Sequence, residues 1–327
     1  MDFADIIKVI EPDFLALNAE IHASLESKVP LIRQIGDYII SSGGKRLRPI
    51  VAIMAAKANG YQGKDHITIA AVVEFLHTST LLHDDVVDNS HLRRNKPTAN
   101  NRWGNAAPVL VGDFLLSRAF QLITGLENLR LLKTLSDATI IIAEGEVLQL
   151  SNIGNVQLSE ATYFDIINYK TAKMFETAAE LGALLGNQEP ACIVGLKTYA
   201  SQLGLAFQLV DDALDYSGDS QTMGKNLGDD LQEGKMTLPL IHAYETLNAQ
   251  GQAQIASLVA KAQQDTLASA DLEIIQTLIA SSDALNYTLD KARSATYLAI
   301  AALDALPESP YTQALAQLAE LALARTA

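Results

Sequence analysis

Two short acidic runs are the residues best suited to chemistry. Asp84-Asp85-Val86-Val87-Asp88 and Asp211-Asp212-Ala213-Leu214-Asp215 share one spacing, DDxxD. On an α-helix, residues i and i+4 share a face and i+1 lies about 100° round. Each run presents two carboxylates one turn apart with a third beside them. Such close like charges raise one another's pKa unless a cation neutralises them. A single DDxxD reads more simply as a solvated acidic face. These two are set among Leu81-Leu82, Val86-Val87, Leu209-Val210 and Ala213-Leu214, and a surface helix seldom carries such neighbours. Hard oxygen donors select Mg²⁺, which takes one or two carboxylates and keeps its other positions for water and phosphate. The runs therefore read as two jaws that grip a diphosphate through Mg²⁺.

An anion also needs local cations. Gly43-Gly44-Lys45-Arg46-Leu47-Arg48-Pro49 sets three on a glycine turn that enters a helix. Arg clamps phosphate bidentately, and N–H groups at a helix start add to the grip. Arg93-Arg94 follows the first acidic run, Lys170-Thr171 lies between the two, and Lys225 and Lys235 follow the second. Any one alone reads as a solvated side chain. Their joint placement carries the signal.

The elements that must position these groups read as helices. Apolar residues recur at helical spacing over 67–87, 110–124, 131–150, 163–185, 193–216 and 238–247, and again through Tyr297, Ile300, Leu303 and Leu306. No alternating strand or hairpin signal stands out. The segments 41–44 and 60–63 read as turns, and 90–105 and 218–239 as polar loops. Of 327 residues 49% are hydrophobic and 6% aromatic, a composition that fits one all-α domain. A net charge of −14 argues against nucleic-acid binding and a polybasic membrane anchor. No apolar run suggests a membrane span and no signal peptide is evident, so a cytoplasmic protein is expected. The single cysteine, Cys192, sits among Ala191, Ile193 and Val194 and reads as a buried apolar residue.

The chain resembles the trans-isoprenyl diphosphate synthases. The likeness rests on GGKRLRP (43–49), HTSTLLHDDVVD (77–88), Arg93-Arg94, KTAKMFE (170–176), FQLVDDALD (207–215) and GKNLGDDLQEGKMTLP (224–239), in that order. It implies an orthogonal helix bundle of the isoprenoid synthase type with a central cavity, a catalytic core over about 30–245 and C-terminal helices beyond. It also implies that Asp84, Asp85, Asp88, Asp211, Asp212 and Asp215 bind Mg²⁺ and the allylic diphosphate. Arg93, Lys170 and Lys235 would contact that diphosphate. Lys45, Arg48, His77 and Arg94 would hold isopentenyl diphosphate. Thr171, Gln208 and Lys225 match family positions at the reacting centre. Asn95 stands where the family usually has Gly.

The implied reaction is a 1′–4 condensation of isopentenyl diphosphate onto an allylic primer such as farnesyl diphosphate, by a homodimer. Ser79 and Thr80, about one turn before Asp84, are small where short-chain relatives carry aromatics. The growing chain is therefore expected to run deeper, to a floor near Phe75 or Leu76, giving a product of C40 to C45. A shorter-chain product such as geranylgeranyl diphosphate is the main alternative. An HD-type phosphohydrolase, suggested by His77 and His83-Asp84, leaves the second acidic run unexplained. A terpene cyclase would not repeat DDxxD, and a silent partner subunit would lack an intact motif.

Overall fold

A computed structural model describes residues 2–94, 96–186, 189–217 and 228–324. Helices dominate: α1 (Phe3–Val9), α2 (Glu11–Ser24), α3 (Pro30–Ser41), α4 (Leu47–Ala58), α5 (Asp65–Val87), α6 (Ala99–Trp103), α7 (Ala106–Thr124) and α8 (Leu129–Leu150). They continue with α9 (Glu160–Ile167), a π-turn (Asn168–Ala172), α10 (Lys173–Ala183), α11 (Pro190–Leu214), α12 (Asp229–Gln232) and α13 (Leu238–Thr246). The last four are α14 (Ala249–Gln263), α15 (Ser269–Ser281), α16 (Ala284–Ala302) and α17 (Pro310–Leu323). Local chemistry sets several starts. Asp2 and Asp5 close a capping box at α1, Ser159 accepts from Thr162 N at α9, and Asn248 accepts from Gln250 N and Gly251 N at α14.

The chain packs as two compact units. One comprises 1–139, 174–200 and 300–318; the other comprises 140–173, 201–299 and 319–327. In the first, α5 is the centrepiece, with Ile69 to Val73, Phe75 and Leu76 buried. Its principal neighbours are α7, α4 and α2. Small residues allow close approach. A Cβ at Gly112 of α7 would fall 2.3 Å from His83 Nε2, and one at Gly182 would fall 2.2 Å from the Ala52 carbonyl oxygen. Cys192 is buried and its Sγ donates to the Ala305 carbonyl at 3.3 Å. In the second unit, Leu209, Val210, Leu238, Ile241, Ile255, Val259, Ile275 and Ile279 form the core.

Three expectations need correction. The segment 90–105 is less irregular than its polarity suggests: it holds α6 and an antiparallel ladder, Leu92–Arg93 on Lys96–Pro97. Strands of two residues are too short for alternation to register. The helical pattern over 163–185 is interrupted by the π-turn at 168–172. The 19-residue α7 is long and apolar enough to cross a membrane by length and composition; Asp113 and Arg118 within it make the run look broken in sequence. It buries Val111, Leu115, Ala119 and Ile123 inside the first unit.

Candidate active site

The first acidic run ends α5. Asp84 and Asp85 lie in its last turn and Asp88 is the C-cap. The chain then leaves through Asn89 at φ 50, an αL exit that Asn tolerates. A helix C-terminus already carries about half a negative charge, so three carboxylates there build in a demand for cations. Asp85 is completely buried, and Arg93 forks it: Nε donates to Oδ1 at 2.9 Å and Nη2 to Oδ1 at 2.7 Å, with Nε also 3.1 Å from Oδ2. Burial pushes the Asp85 carboxyl up, Arg93 pulls it back, and Asp84 and Asp88 add to the rise. The ladder places Arg93 there, and its turn holds Arg94 at φ 53. Asn95 lies outside the described residues.

The glycine turn shapes the basic group of the same unit. Gly44 adopts φ +132, and a Cβ there would fall 2.5 Å from Arg94 Nη1. Only glycine meets both conditions, and the Arg94 guanidinium lies against its Cα. Arg48, in the first turn of α4, has its guanidinium carbon 4.4 Å from the Phe175 ring centroid. Its Nη1 donates to His77 Nε2 at 3.3 Å. That nitrogen is therefore unprotonated, in keeping with a His77 pKa held well below its usual range by burial and by Arg48, Arg93 and Arg94. Burial draws Arg48 down to about 10, which leaves it cationic at neutral pH. Lys45 is exposed, with Nζ 5.6 Å from the Phe3 ring centroid. Ser79 is buried and spent on α7, its Oγ donating to the Gly112 carbonyl at 2.8 Å. Thr80 is half-buried and donates to the His77 carbonyl; Leu76 and Phe75 are buried.

The second acidic run has the same placement in the other unit. Asp211 and Asp212 lie in the last turn of α11 and Asp215 is the next residue past its end. Asp212 is the hub of a buried network. It accepts from the Tyr163 hydroxyl at 2.5 Å and from Gln208 Nε2 at 2.7 Å, while Thr171 Oγ1 donates to Gln208 Oε1 at 3.0 Å. Burial, with Asp230 and Asp211 adding to it, pushes Asp212 up to about 8 against those two hydrogen bonds. Asp230 N donates to Asp215 Oδ2 at 3.2 Å and Gly228 N to the Asp215 carbonyl at 3.0 Å. Gly228 and Asp230 thus lie against the end of the second run.

Lys170 and Thr171 sit in the π-turn, a geometry found disproportionately at functional positions. Lys170 Nζ donates to Glu146 Oε2 at 2.6 Å and Lys235 Nζ to Glu233 Oε2 at 2.5 Å. Lys225 lies outside the described residues. Gly145 of α8 lets the π-turn approach: a Cβ there would fall 2.7 Å from Tyr169 Cβ and 2.9 Å from Lys170 N. Gly145→Ala is therefore expected to destabilise the protein by about 1–3 kcal/mol through overpacking and to lower turnover by displacing Lys170. Thermal unfolding and steady-state kinetics check both; an unchanged midpoint refutes the close-approach argument.

The structure joins Arg48 to His77, Asp85 to Arg93, and Thr171 through Gln208 to Asp212. Sequence reasoning missed Tyr163, Glu146 and Glu74, and it counted Arg46 among the cations of the glycine turn without giving it a role. It passed over Asp230 although the GDD triplet lay in view. The donor chemistry fits Mg²⁺. Among the described residues no three His, Cys, Asp or Glu side chains form a group able to hold a metal. Carboxylates at helix ends that offer one or two oxygens each suit an ion whose other positions go to water and phosphate.

The polyprenyl synthetase family model matches residues 29–275. The octaprenyl diphosphate synthase of Haemophilus influenzae is 46% identical over 99% of this chain and 98% of its own. The geranyl-diphosphate-specific all-trans-nonaprenyl-diphosphate synthase of Rhodobacter capsulatus is 44% identical, over 98% and 97%. Among solved structures, a polyprenyl synthase from Caulobacter crescentus, complexed with calcium and isoprenyl diphosphate, superposes with a TM-score of 0.95 at 41% identity, over 100% of this chain and 98% of its own.

Proposed function

Because the chain belongs to the polyprenyl synthetase family, we propose a division of labour among its residues for the condensation of isopentenyl diphosphate onto an allylic diphosphate. The activity is that of a long-chain trans-polyprenyl diphosphate synthase, a prenyltransferase. The observation that carries the reading is the repeated DDxxD at the C-terminal ends of α5 and α11, each at the negative end of its helix.

Asp84, Asp85, Asp88, Asp211, Asp212 and Asp215 would hold Mg²⁺, which when bound neutralises charge on the allylic diphosphate. Arg93, Lys170 and Lys235 bind the same group and stabilise the charge that develops as its C–O bond ionises. Arg48, His77, Arg94 and Lys45 orient isopentenyl diphosphate. His77 serves as a neutral acceptor that fixes Arg48, not as a base. The double bond of isopentenyl diphosphate attacks the allylic cation, and the released diphosphate is the acceptor for the proton then lost. Thr171 and Gln208 flank the reacting centre, with Gln208 tied to Asp212. Lys225 is assigned an active-site role on family position alone.

Farnesyl diphosphate as primer and an octaprenyl or nonaprenyl product are the specific proposals. Thr80→Tyr is expected to shorten the product by one or more five-carbon units. Ser79→Phe is expected to do the same while lowering stability, since its hydroxyl is spent on Gly112. Unchanged chromatographic chain length in both sinks the assignment. Apolar residues left exposed on α7 (Leu110) and on α8 (Ile140, Val147) support a homodimer. The principal test incubates the protein with radiolabelled isopentenyl diphosphate and farnesyl diphosphate, with and without EDTA. A Mg²⁺-dependent C40–C45 lipid diphosphate is expected; no lipid product in either arm refutes the reading.

A further inference from the structure

Glu74 takes no part in that division of labour, yet its side chain is only 11% exposed and sits on α5 three residues before His77. Its Oε1 lies 3.9 Å from Arg46 Nε, with the Arg46 side chain itself 15% exposed. Arg46, then Arg48, then Arg94 act on the carboxyl electrostatically, against burial, which is the larger influence and pushes its pKa up. Three polar atoms here are buried without a hydrogen-bond partner: Glu74 Oε2, Arg46 Nη1 and Arg48 Nε. A carboxylate committed to a guanidinium closes to about 2.7–2.9 Å. Glu74 stays further off. It balances the charge of the cluster while leaving guanidinium donors unspent. Buried donors left this way are costly, and a cluster that keeps them is arranged for an anion that comes and goes.

We propose that Glu74 is a resident counter-ion, which steadies the Arg46–Arg48–Arg94 cluster when empty and competes with the incoming diphosphate for it. This rests on the reading of that cluster as the isopentenyl diphosphate site, and it adds Arg46 and Glu74 as positioning residues. In repeated condensation, the diphosphate that enters here stays on the lengthened chain. It must leave before the next five-carbon unit binds. A site with uncompensated cations would hold it too long; a carboxylate beside them keeps the grip reversible.

The test uses inorganic pyrophosphate as probe and EDTA to silence metal-dependent binding. Calorimetric titration of the full-length protein is expected to show Glu74→Gln binding pyrophosphate about tenfold more tightly than wild type, as one opposing charge is removed. Arg48→Gln should abolish the binding. In steady state, Glu74→Gln should lower KM for isopentenyl diphosphate and lower kcat through slower release, leaving KM for farnesyl diphosphate unchanged. If wild type takes up no pyrophosphate, or Arg48→Gln retains it, the reading of the cluster fails and the proposal with it. If wild type binds and folded Glu74→Gln binds no more tightly, the proposal alone is overturned. Should Glu74→Gln not fold, Glu74→Asp, with its charge drawn back by one methylene, must bind pyrophosphate more tightly than wild type; equal or weaker binding overturns it.

Discussion

Asp212→Asn is expected to stabilise the metal-free protein at pH 8 while cutting turnover by about 10²–10⁴-fold. Asp212 is only 2% exposed and its carboxyl is pushed up to about 8, with burial the first cause and Asp230 the second. In the unfolded chain it titrates near the usual carboxylate value of about 4. Between those limits the folded state binds the extra proton, so stability is greatest at low pH and falls as pH rises towards 8. Each pKa unit corresponds to about 1.4 kcal/mol. Asn removes the charge and keeps the shape: its oxygen accepts from Gln208, and its amide donates to the Tyr163 hydroxyl. The wild-type penalty at pH 8 should therefore be relieved by about 2 kcal/mol or more, and the slope between pH 5 and pH 8 should flatten. Denaturant unfolding in EDTA at the two pH values checks this. A variant less stable than wild type at pH 8 refutes it.

Opposed signs would mark a functional group: a carboxylate kept against its own stability cost at a place where a cation would repay it. Tyr163→Phe probes the same hub. It deletes one hydrogen bond to Asp212 and should lower turnover far less than Asp212→Asn does.

The acidic runs were legible because two copies of one spacing in apolar sequence contradict an ordinary surface helix. Their placement at helix ends follows from the helical segments 67–87 and 193–216 and the polar loops after them. The αL exit at Asn89 does not, because it has no periodic signature. Arg93 was legible as a cation near the first run, but its fork onto Asp85 depends on a two-residue ladder too short to register. Glu74 was hidden for the opposite reason. In an amphipathic reading it interrupts the buried face of α5, and only the turn carrying Arg46 and Arg48, at the start of the preceding helix α4, makes a buried carboxylate intelligible. Tyr163 is one of 10 tyrosines, and nothing local distinguishes it. What sequence conceals here is pairing across elements, because burial turns an unremarked polar residue into an obligatory partner.

Arg93→Ala is expected to be the most destabilising substitution at the first acidic run, and Asp85→Asn is expected to rescue its stability without rescuing activity. Asp85 is wholly buried while the Arg93 side chain is 26% exposed, so the two losses are unequal. Removing Asp85 leaves a guanidinium that can turn to water. Removing Arg93 leaves an unpaired carboxylate with nowhere to go, beside Asp84 and Asp88, at about 3–5 kcal/mol for a buried pair broken on one side. Burial already pushes Asp85 up, and Arg93 is the main opposing influence; without it the carboxyl moves further upward. The deficit should then shrink as pH falls and the carboxyl takes up a proton, and grow as pH rises. In the double variant no buried charge remains to be orphaned, so its stability should exceed that of Arg93→Ala by about 2 kcal/mol. Simple additivity of the two single losses would refute the pairing. Activity behaves differently, because Arg93 and Asp85 are both assigned to the allylic diphosphate and its Mg²⁺. In the free protein they hold each other; on the proposed assignment each would exchange that partner for diphosphate or metal when substrate binds. Turnover in the double variant should therefore stay at least about 10²-fold below wild type even where its unfolding free energy has recovered.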